Sequence, residues 1–394
     1  MTWARIHLGA LFREKPRSID PAKYSDELFE LFSVPAYERR IPDLARGGEI
    51  GSTKVLVEPG DTLLCRIVPH IRRGWVVPSS AGHRQIASGE WIILRHDDFD
   101  PGYLRHLVLS DAFHQQFMRT VAGVGGSLMR ARPAQAARIS IQRPPLSEQG
   151  RIAAILDQAN ELRIKRSRAL TLLDELATQL FLDMFGDVVA NDRDWPVGRV
   201  SEIVAGFSSG KSLATIEDDG SKDVNRVLKV SAVTSGTFKP SESKPLPRTY
   251  LPPASHFVSE GDLLISRANT SELIGATAYV RQAPTSLVLS DKIWRFEWPL
   301  NARSEPIFVW QMFSRPEFRR LISDRATGSS GSMKNVSQST VLSLPVILPP
   351  VPAQAEFSSL FERIERVRAL HRAHLVHLDE FFDSLQHRAF NGEL

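Results

Sequence analysis

A single cysteine, Cys65, stands in 394 residues, so no disulfide can form within the chain. The expected setting is reducing and cytoplasmic. No run approaches the roughly 18 apolar residues of a membrane helix. The opening MTWARIHLGALFREKPRS lacks a sustained apolar core and a cleavage site, and is not read as a secretory signal. There is no Cys-x-x-Cys, no catalytic acid–base constellation, and no Asn-Pro-Pro-Tyr of the kind an adenine methyltransferase carries. Charge of one sign is also scarce: 49 Lys+Arg against 45 Asp+Glu leaves +4. A sequence pI near 9.2 is compatible with a polyanion partner. If the chain binds nucleic acid, so small an excess points to phosphate contacts shared with partners. With 42% apolar and 24% charged residues, neither disorder nor a fibrous repeat is indicated.

Two local patterns invite an ATPase reading. AGFSSGKS, Ala205 to Ser212, has the spacing of a phosphate-cradling loop with Lys211 as its cation. A strand, VSEIV, is expected before it. The helix the motif needs is missing, because LATIEDDGSKDVNRVL carries Gly220, many turn formers and no apolar stripe. LLDEL, Leu172 to Leu176, has the look of a magnesium-binding acidic pair, but it lies upstream of the loop and in a helical pattern. Lys211 is better placed to face a DNA phosphate or solvent. HRAHLVH spaces His371, His374 and His377 three apart, yet a helix turns the third away from the first two, so no metal site is expected. Cys65 aligns with Ser266 in the repeat described next, which argues against a nucleophile.

The chain repeats itself. RPPLSEQGRIAAIL begins at Arg143 and LPPVPAQAEFSSLF at Leu348, 205 residues later. The same offset lays LLDEL on HLDEF, His377 to Phe381, and Phe185 on Phe390. Upstream the match is looser. EPGDTLLCR resembles SEGDLLISR, and GGSLMR (Gly125 to Arg130) resembles SGSMK (Ser330 to Lys334). Each copy is thus a variable region followed by a long helical segment.

In the long segments, Ile152, Ile155, Ala159, Leu162, Arg166, Ala169, Leu173, Leu176, Leu180 and Met184 alternate by three and four, as do Phe357, Leu360, Ile364, Val367, His371, His374, Leu378, Phe381, Leu385 and Ala389. That is the seam of a coiled coil. Diprolines mark the starts, with Ser147 as the expected N-cap of the first, and Gly186 and Gly392 mark the ends. Two quasi-identical halves predict antiparallel pairing. Arg166 then meets His371, a polar seam pair read as a register device, with outward snorkelling of both side chains as the alternative. The variable regions mix β-like runs (DTLLCRIV, GWVV, DLLISR, ATAYV, KIWRFEW) with amphipathic helices, without the alternation of a doubly wound sheet.

The layout resembles the specificity subunit of type I restriction–modification systems. PPLSEQGRIAAILDQANELRIKRSRALTLLDELATQLFLDMFGD is similar to that family's central conserved region, and the second helix to its C-terminal one, although PPVPAQAEF departs from the usual PPLxEQ. GDLLISRANTSELIGATA and GGEIGSTKVLVEPGDTLLCRIVPH resemble segments of two classes of target-recognition domain. The resemblance implies an α+β fold. Two mixed α/β target-recognition domains, 1–143 and 187–348, are separated by two long antiparallel coiled-coil helices, 144–186 and 349–394, with a pseudo-two-fold internal repeat.

It implies a subunit that catalyses nothing itself. Each domain reads one half of a bipartite, gapped site in double-stranded DNA, and the helices set the spacing and dock two DNA adenine methyltransferase (modification) subunits. Restriction/translocase subunits complete the assembly. S-adenosylmethionine, ATP and magnesium belong to those partners. The candidate DNA-binding residues are Arg66, Arg72, Arg73, Arg130, Lys211, Arg267, Lys292, Lys334 and Asn335. Arginine forks grip guanine edges and lysines more often hold phosphates. Arg66 and Arg267 have a rival role as partners of Asp61 and Asp262. The alternatives are a protein-binding coiled-coil scaffold and a P-loop ATPase using Lys211.

Overall fold

The computed structural model of the chain describes residues 3–12, 17–123, 129–211, 224–301, 303–328 and 333–394. Two compact units emerge: residues 1–169 with 371–394, and residues 170–370. The division falls inside two long helices, Leu146–Phe185 and Val351–Asn391, so each unit holds part of both. Most of the Gly/Ser-rich loops matched in the repeat, and the segment 212–223 after Lys211, lie outside the described residues.

In the first unit, Glu58-Pro-Gly-Asp turns the chain into the strand Thr62–Cys65, with Gly60 at φ +89°, a left-handed conformation that glycine adopts at little cost. That strand is central in an antiparallel sheet between Gly74–Val76 and Trp91–Leu94. A five-stranded sheet runs Ser18–Ile19, Lys54–Leu56, Arg84–Ala87, Leu28–Phe32, Asp43–Arg46. Its only parallel pair among the described residues is Leu28–Phe32 with Arg84–Ala87. Phe32, Tyr37, Leu63, Cys65, Trp75 and Trp91 form one apolar cluster. The helices Pro101–Leu109 and Asp111–Met118 follow, each entered through a side-chain cap from Asp100 or Ser110.

The second unit repeats the scheme. Ser259-Glu-Gly-Asp, with Gly261 at φ +89°, leads into Leu263–Ser266. The sheet order is Gly206–Ser209, Ile293–Glu297, Leu263–Ser266, Thr277–Tyr279, antiparallel throughout. A smaller sheet joins Ser243–Pro245, Arg226–Leu228 and Leu287–Val288, the last pair parallel. Pro306–Ser314 and Pro316–Arg325 are the counterparts of the first unit's helix pair. All the expected β-like runs contain strands, but VSEIV does not: Val200–Glu202 is a 3-10 turn that buries Val200, Ile203 and Val204.

The long helices pair antiparallel within each unit. In the first, Arg151 Nη2 donates to Leu394 O (2.8 Å), Arg163 Nε to Asp379 Oδ1 (2.6 Å), and Arg166 Nη1 lies 3.3 Å from His371 Nδ1. In the second, Arg368 Nη2 lies 2.9 Å from Asp174 Oδ1, and the Phe181 and Phe357 rings pack edge to face. The seam differs in part from the sequence reading. Leu162 and Leu176 are each 52% exposed, and Arg163 and buried Ala177 take their places. On the second helix Val367, His374 and Phe381 give way to Arg368, Leu375 and Phe382. The globular cores decide this. Phe382, Leu385 and Ala389 enter the first unit's core, and Ala177, Phe181 and Phe185 the second's, which rotates the leucines outward.

Helix entry also differs from expectation. Ser147 is inside the helix, not its cap. The joint is Gln149, fully buried. Its Nε2 donates to Asp98 O and Pro144 O (2.8 Å each), and its Oε1 accepts from Asp100 N (2.9 Å). Gln354, its repeat mate, bonds Pro349 O (2.8 Å), Arg303 O (3.5 Å) and Glu305 N (3.0 Å) in the same way. One amide therefore ties the start of each long helix to the start of a domain helix. Gln149→Met keeps the volume but orphans these groups. It is expected to cost about 2–4 kcal/mol, read as a shifted denaturation midpoint. Gly186 and Gly392 end the helices at φ +73° and +76°.

Candidate nucleic-acid interface

In the first unit, the backbone just past Thr62–Cys65 builds an edge. Arg66 N donates to Glu90 O (2.9 Å), and Ala131 N donates to Arg66 O (2.8 Å). Arg66 and Arg130 therefore sit on neighbouring strands, with Glu90 between them. Arg66 Nε lies 3.3 Å from Glu90 Oε2, and Arg130 Nε and Nη2 reach Oε1 at 3.1 and 3.0 Å. Burial pushes the Glu90 carboxyl up, but the hydrogen bonds and charge of Arg130, with Arg66, hold it below the usual carboxylate range. Glu90 is thus an ionised clamp that orients two guanidinia and leaves both Nη atoms of Arg66 and Nη1 of Arg130 outside the bonds to it.

The same place in the second unit carries different chemistry. Arg267 N donates to Lys292 O (3.0 Å), and Val336 N donates to Arg267 O (3.0 Å). Asp291 takes Glu90's position but offers its backbone: Arg267 Nε donates to Asp291 O (2.7 Å), with the guanidinium 5.9 Å from the Trp294 ring. Lys334 and Asn335 pair with Asn269 and Ala268 in a short antiparallel ladder. Lys334 Nζ donates to Ser323 O (3.1 Å), and the Asn335 backbone bonds Thr327 at both ends. Gly210 N donates to Ser290 O, which puts exposed Lys211 beside the turn bearing exposed Lys292.

Five candidates, Lys211, Arg267, Lys292, Lys334 and Asn335, thus gather at one edge of the second unit, and Arg66 and Arg130 at the matching edge of the first. Arg72 and Arg73 are engaged elsewhere, although Cys65 N donates to Arg73 O (3.1 Å) beside Arg66. Arg72 pairs with Asp111 (2.5 Å) and Leu109 O, and Arg73 with Glu38 (3.0 Å).

The rival role proposed for Arg66 and Arg267 is corrected. Asp61 is bound by Arg95, whose Nη2 reaches Oδ2 at 2.7 Å, and Asp262 faces Arg295 at 3.6 Å. The side chain that reaches back to each Gly-Asp turn comes from the sheet neighbour, Arg95 just past Trp91–Leu94 and Arg295 within Ile293–Glu297, not from the residues just after the turn. Glu90, Arg95 and the glutamine joints escaped the sequence reading. Only Gln149 and Gln354 left a visible signal, since they align at the repeat offset.

Gly206–Ser209 of AGFSSGKS is ladder strand, paired with Trp294–Glu297. A phosphate cradle needs a loop wrapped round the anion at this place, not an extended strand. Gly210 is required because a Cβ there would meet Leu289 O at 1.8 Å. His374 and His377 are exposed, and among the described residues no group of three or more His, Cys, Asp or Glu side chains is placed to hold a metal. Cys65 is buried, and burial pushes its thiol up, away from the reactive thiolate. Among the described residues no helix is long and apolar enough to cross a membrane.

No family model matches the chain. Over 174 residues, 44% of its length, it is 30% identical to the type I restriction enzyme EcoEI specificity subunit of Escherichia coli, covering 29% of that protein. Over 315 residues, 74% of its length, it is 24% identical to the type I restriction enzyme EcoKI specificity subunit of Escherichia coli strain K12, covering 65% of that protein. The chain thus spans less than two thirds of the length of either of these curated relatives. Its fold is similar to the type-I restriction-modification system S subunit from M. genitalium, with TM-score 0.60 and 11% identity across 99% of this chain and 96% of that one.

Proposed function

We propose that this chain, a relative of type I restriction enzyme specificity subunits, is the DNA-recognition subunit of a type I restriction–modification assembly. Each unit serves as a target-recognition domain for one half of a bipartite, gapped site in double-stranded DNA. The observation that carries this reading is a repeated scaffold with unlike side chains at the same edge. Both units present Gly-Asp turn, strand and edge arginine in the same order, yet one edge displays Arg66 and Arg130 on a carboxylate and the other Arg267, Lys292, Lys334 and Asn335. Two readers on one frame with different contact groups are what an asymmetric split site requires.

The long helices serve as spacer and as docking surface. Leu162, Ile164, Leu172, Leu176, Leu370 and Phe381 are all at least 44% exposed on them, apolar side chains that helices of modification subunits would cover. Arg166 and His371 fix the register of the pair. The chain itself performs no chemistry. Methyl transfer from S-adenosylmethionine, and ATP- and magnesium-dependent translocation and cleavage, belong to partner subunits. Co-expression with the cognate modification subunit, followed by mapping of methylated adenines across the host genome, tests the reading. A gapped two-part motif is expected; a continuous motif, or no new methylation, refutes it.

A further inference from the structure

The strand that carries each edge arginine runs on past it. In the first unit the chain continues from Arg66 through Ile67, which bridges to Arg130, into the turn 68–71 and returns through Arg73 to Gly74–Val76. Val68 N donates to Met129 O (2.9 Å), Ile71 N to Val68 O (3.0 Å) and Cys65 N to Arg73 O (3.1 Å). The turn is therefore a hairpin tip, continuous with the edge that bears Arg66 and Arg130. The domain helices fix it. Arg72 Nη1 donates to Leu109 O (3.2 Å) and reaches Asp111 (2.5 Å), and a Cβ on Gly74 would meet Val108 at 3.1 Å. Two features of the tip are not what folding selects. Val68 sits at φ +48°, where a β-branched residue is an outlier, and Pro69 after it favours extended backbone there instead. Ile71 leaves 44% of its surface to solvent.

The internal repeat builds the same arrangement from unlike residues. In the second unit the chain runs from Arg267 through Ala268 and Asn269, paired with Asn335 and Lys334, into the turn 270–274 and back to Thr277–Tyr279. Leu273 N and Ile274 N donate to Thr270 O (3.1 and 2.9 Å), and Gly275 N donates to Ser266 O (2.9 Å). Here too a domain helix holds the tip: Arg319 Nη2 donates to Glu272 O (2.5 Å) and Ser323 Oγ to Ser271 O (2.7 Å). Leu273 is 37% exposed. Val68-Pro-His-Ile71 and Thr270-Ser-Glu-Leu273 share no residue, yet each ends on an exposed branched aliphatic beside a basic edge. One exposed leucine or isoleucine needs no explanation, but its recurrence at one place on a duplicated frame does.

We infer that Ile71 and Leu273 each read a thymine, by packing against its C5-methyl group in the major groove. The inference rests on the DNA-recognition reading and adds a base to it. Arginine forks suit guanine edges, and the thymine methyl is the apolar group that the same groove displays. An aliphatic side chain held rigidly beside those arginines has that base to recognise. The test uses the complex assembled with its cognate modification subunit, and duplexes carrying the mapped motif. Each thymine of either strand is replaced in turn by deoxyuridine, which lacks only the methyl group. One position in each half of the motif is expected to weaken binding about fourfold, the worth of one buried apolar carbon. Ile71→Ala is expected to weaken binding of unmodified DNA by a similar factor and to abolish the deoxyuridine penalty in one half only. Leu273→Ala is expected to abolish it in the other half. Thermal midpoints are expected to stay unchanged, because both side chains are exposed. If the complex binds its motif but deoxyuridine is neutral throughout, or a penalty survives in both halves with either variant, the tips do not read thymine and the recognition reading stands. Absence of motif-specific binding refutes both.

Discussion

Asp61→Ala is expected to destabilise the first unit by about 3 kcal/mol, the low end of the cost of breaking a buried ion pair. The Asp61 side chain is fully buried, while Arg95, its partner, is 32% exposed and keeps a second contact to Glu58. That residual contact holds the cost at the low end. The carboxylate also accepts from Glu58 N (2.8 Å), so its loss orphans the turn that launches Thr62–Cys65. Hydrogen exchange in that strand and the urea midpoint both report it.

The repeat mate behaves differently. Burial pushes the Asp262 carboxyl above its ordinary range, more than Ser259 N–H and the more distant Arg295 pull it down. A carboxyl raised in the folded state contributes stability below its unfolded pKa and loses it as pH rises through the folded value. At neutral pH the Asp262 charge is therefore a cost. Asp262→Asn is expected to be neutral to slightly stabilising at pH 7, with that advantage gone near pH 3. Equal losses at the two sites would refute the contrast.

The contrast also marks how far the sequence could be read. The Gly-Asp turns were legible because a left-handed glycine and a carboxylate leave a fixed four-residue signature. The long helices were legible because a three-four apolar rhythm persists through each. Their facing side was read less well: Leu162 and Leu176 outrank Arg163 and Ala177 in hydrophobicity, and only the domain cores rotate the helices toward the smaller and longer side chains. The partners of Asp61 and Asp262 were misassigned because Arg95 and Arg295 arrive from strands some thirty residues away. Glu90 left no local pattern at all. A clamp made by one carboxylate and two arginines from separate strands exists only after folding.

That clamp sets the second large effect. Arg66→Ala with Arg130→Ala is expected to lower affinity of the assembled complex for its cognate DNA by about 10²-fold or more, since each guanidinium contact is worth about 1–3 kcal/mol. The loss exceeds what two deletions alone would give, because Glu90 then stands ionised and unpaired where phosphates approach. Adding Glu90→Gln to the double variant removes that repulsion and is expected to recover part of the affinity. Base preference is expected to relax at one half-site only, since the matching edge of the second unit is untouched. The side chains involved are 27–39% exposed, so thermal stability is expected to move little. If affinity and stability instead fall together, and Glu90→Gln deepens the loss, the three residues form a structural clamp and the reading surface lies elsewhere.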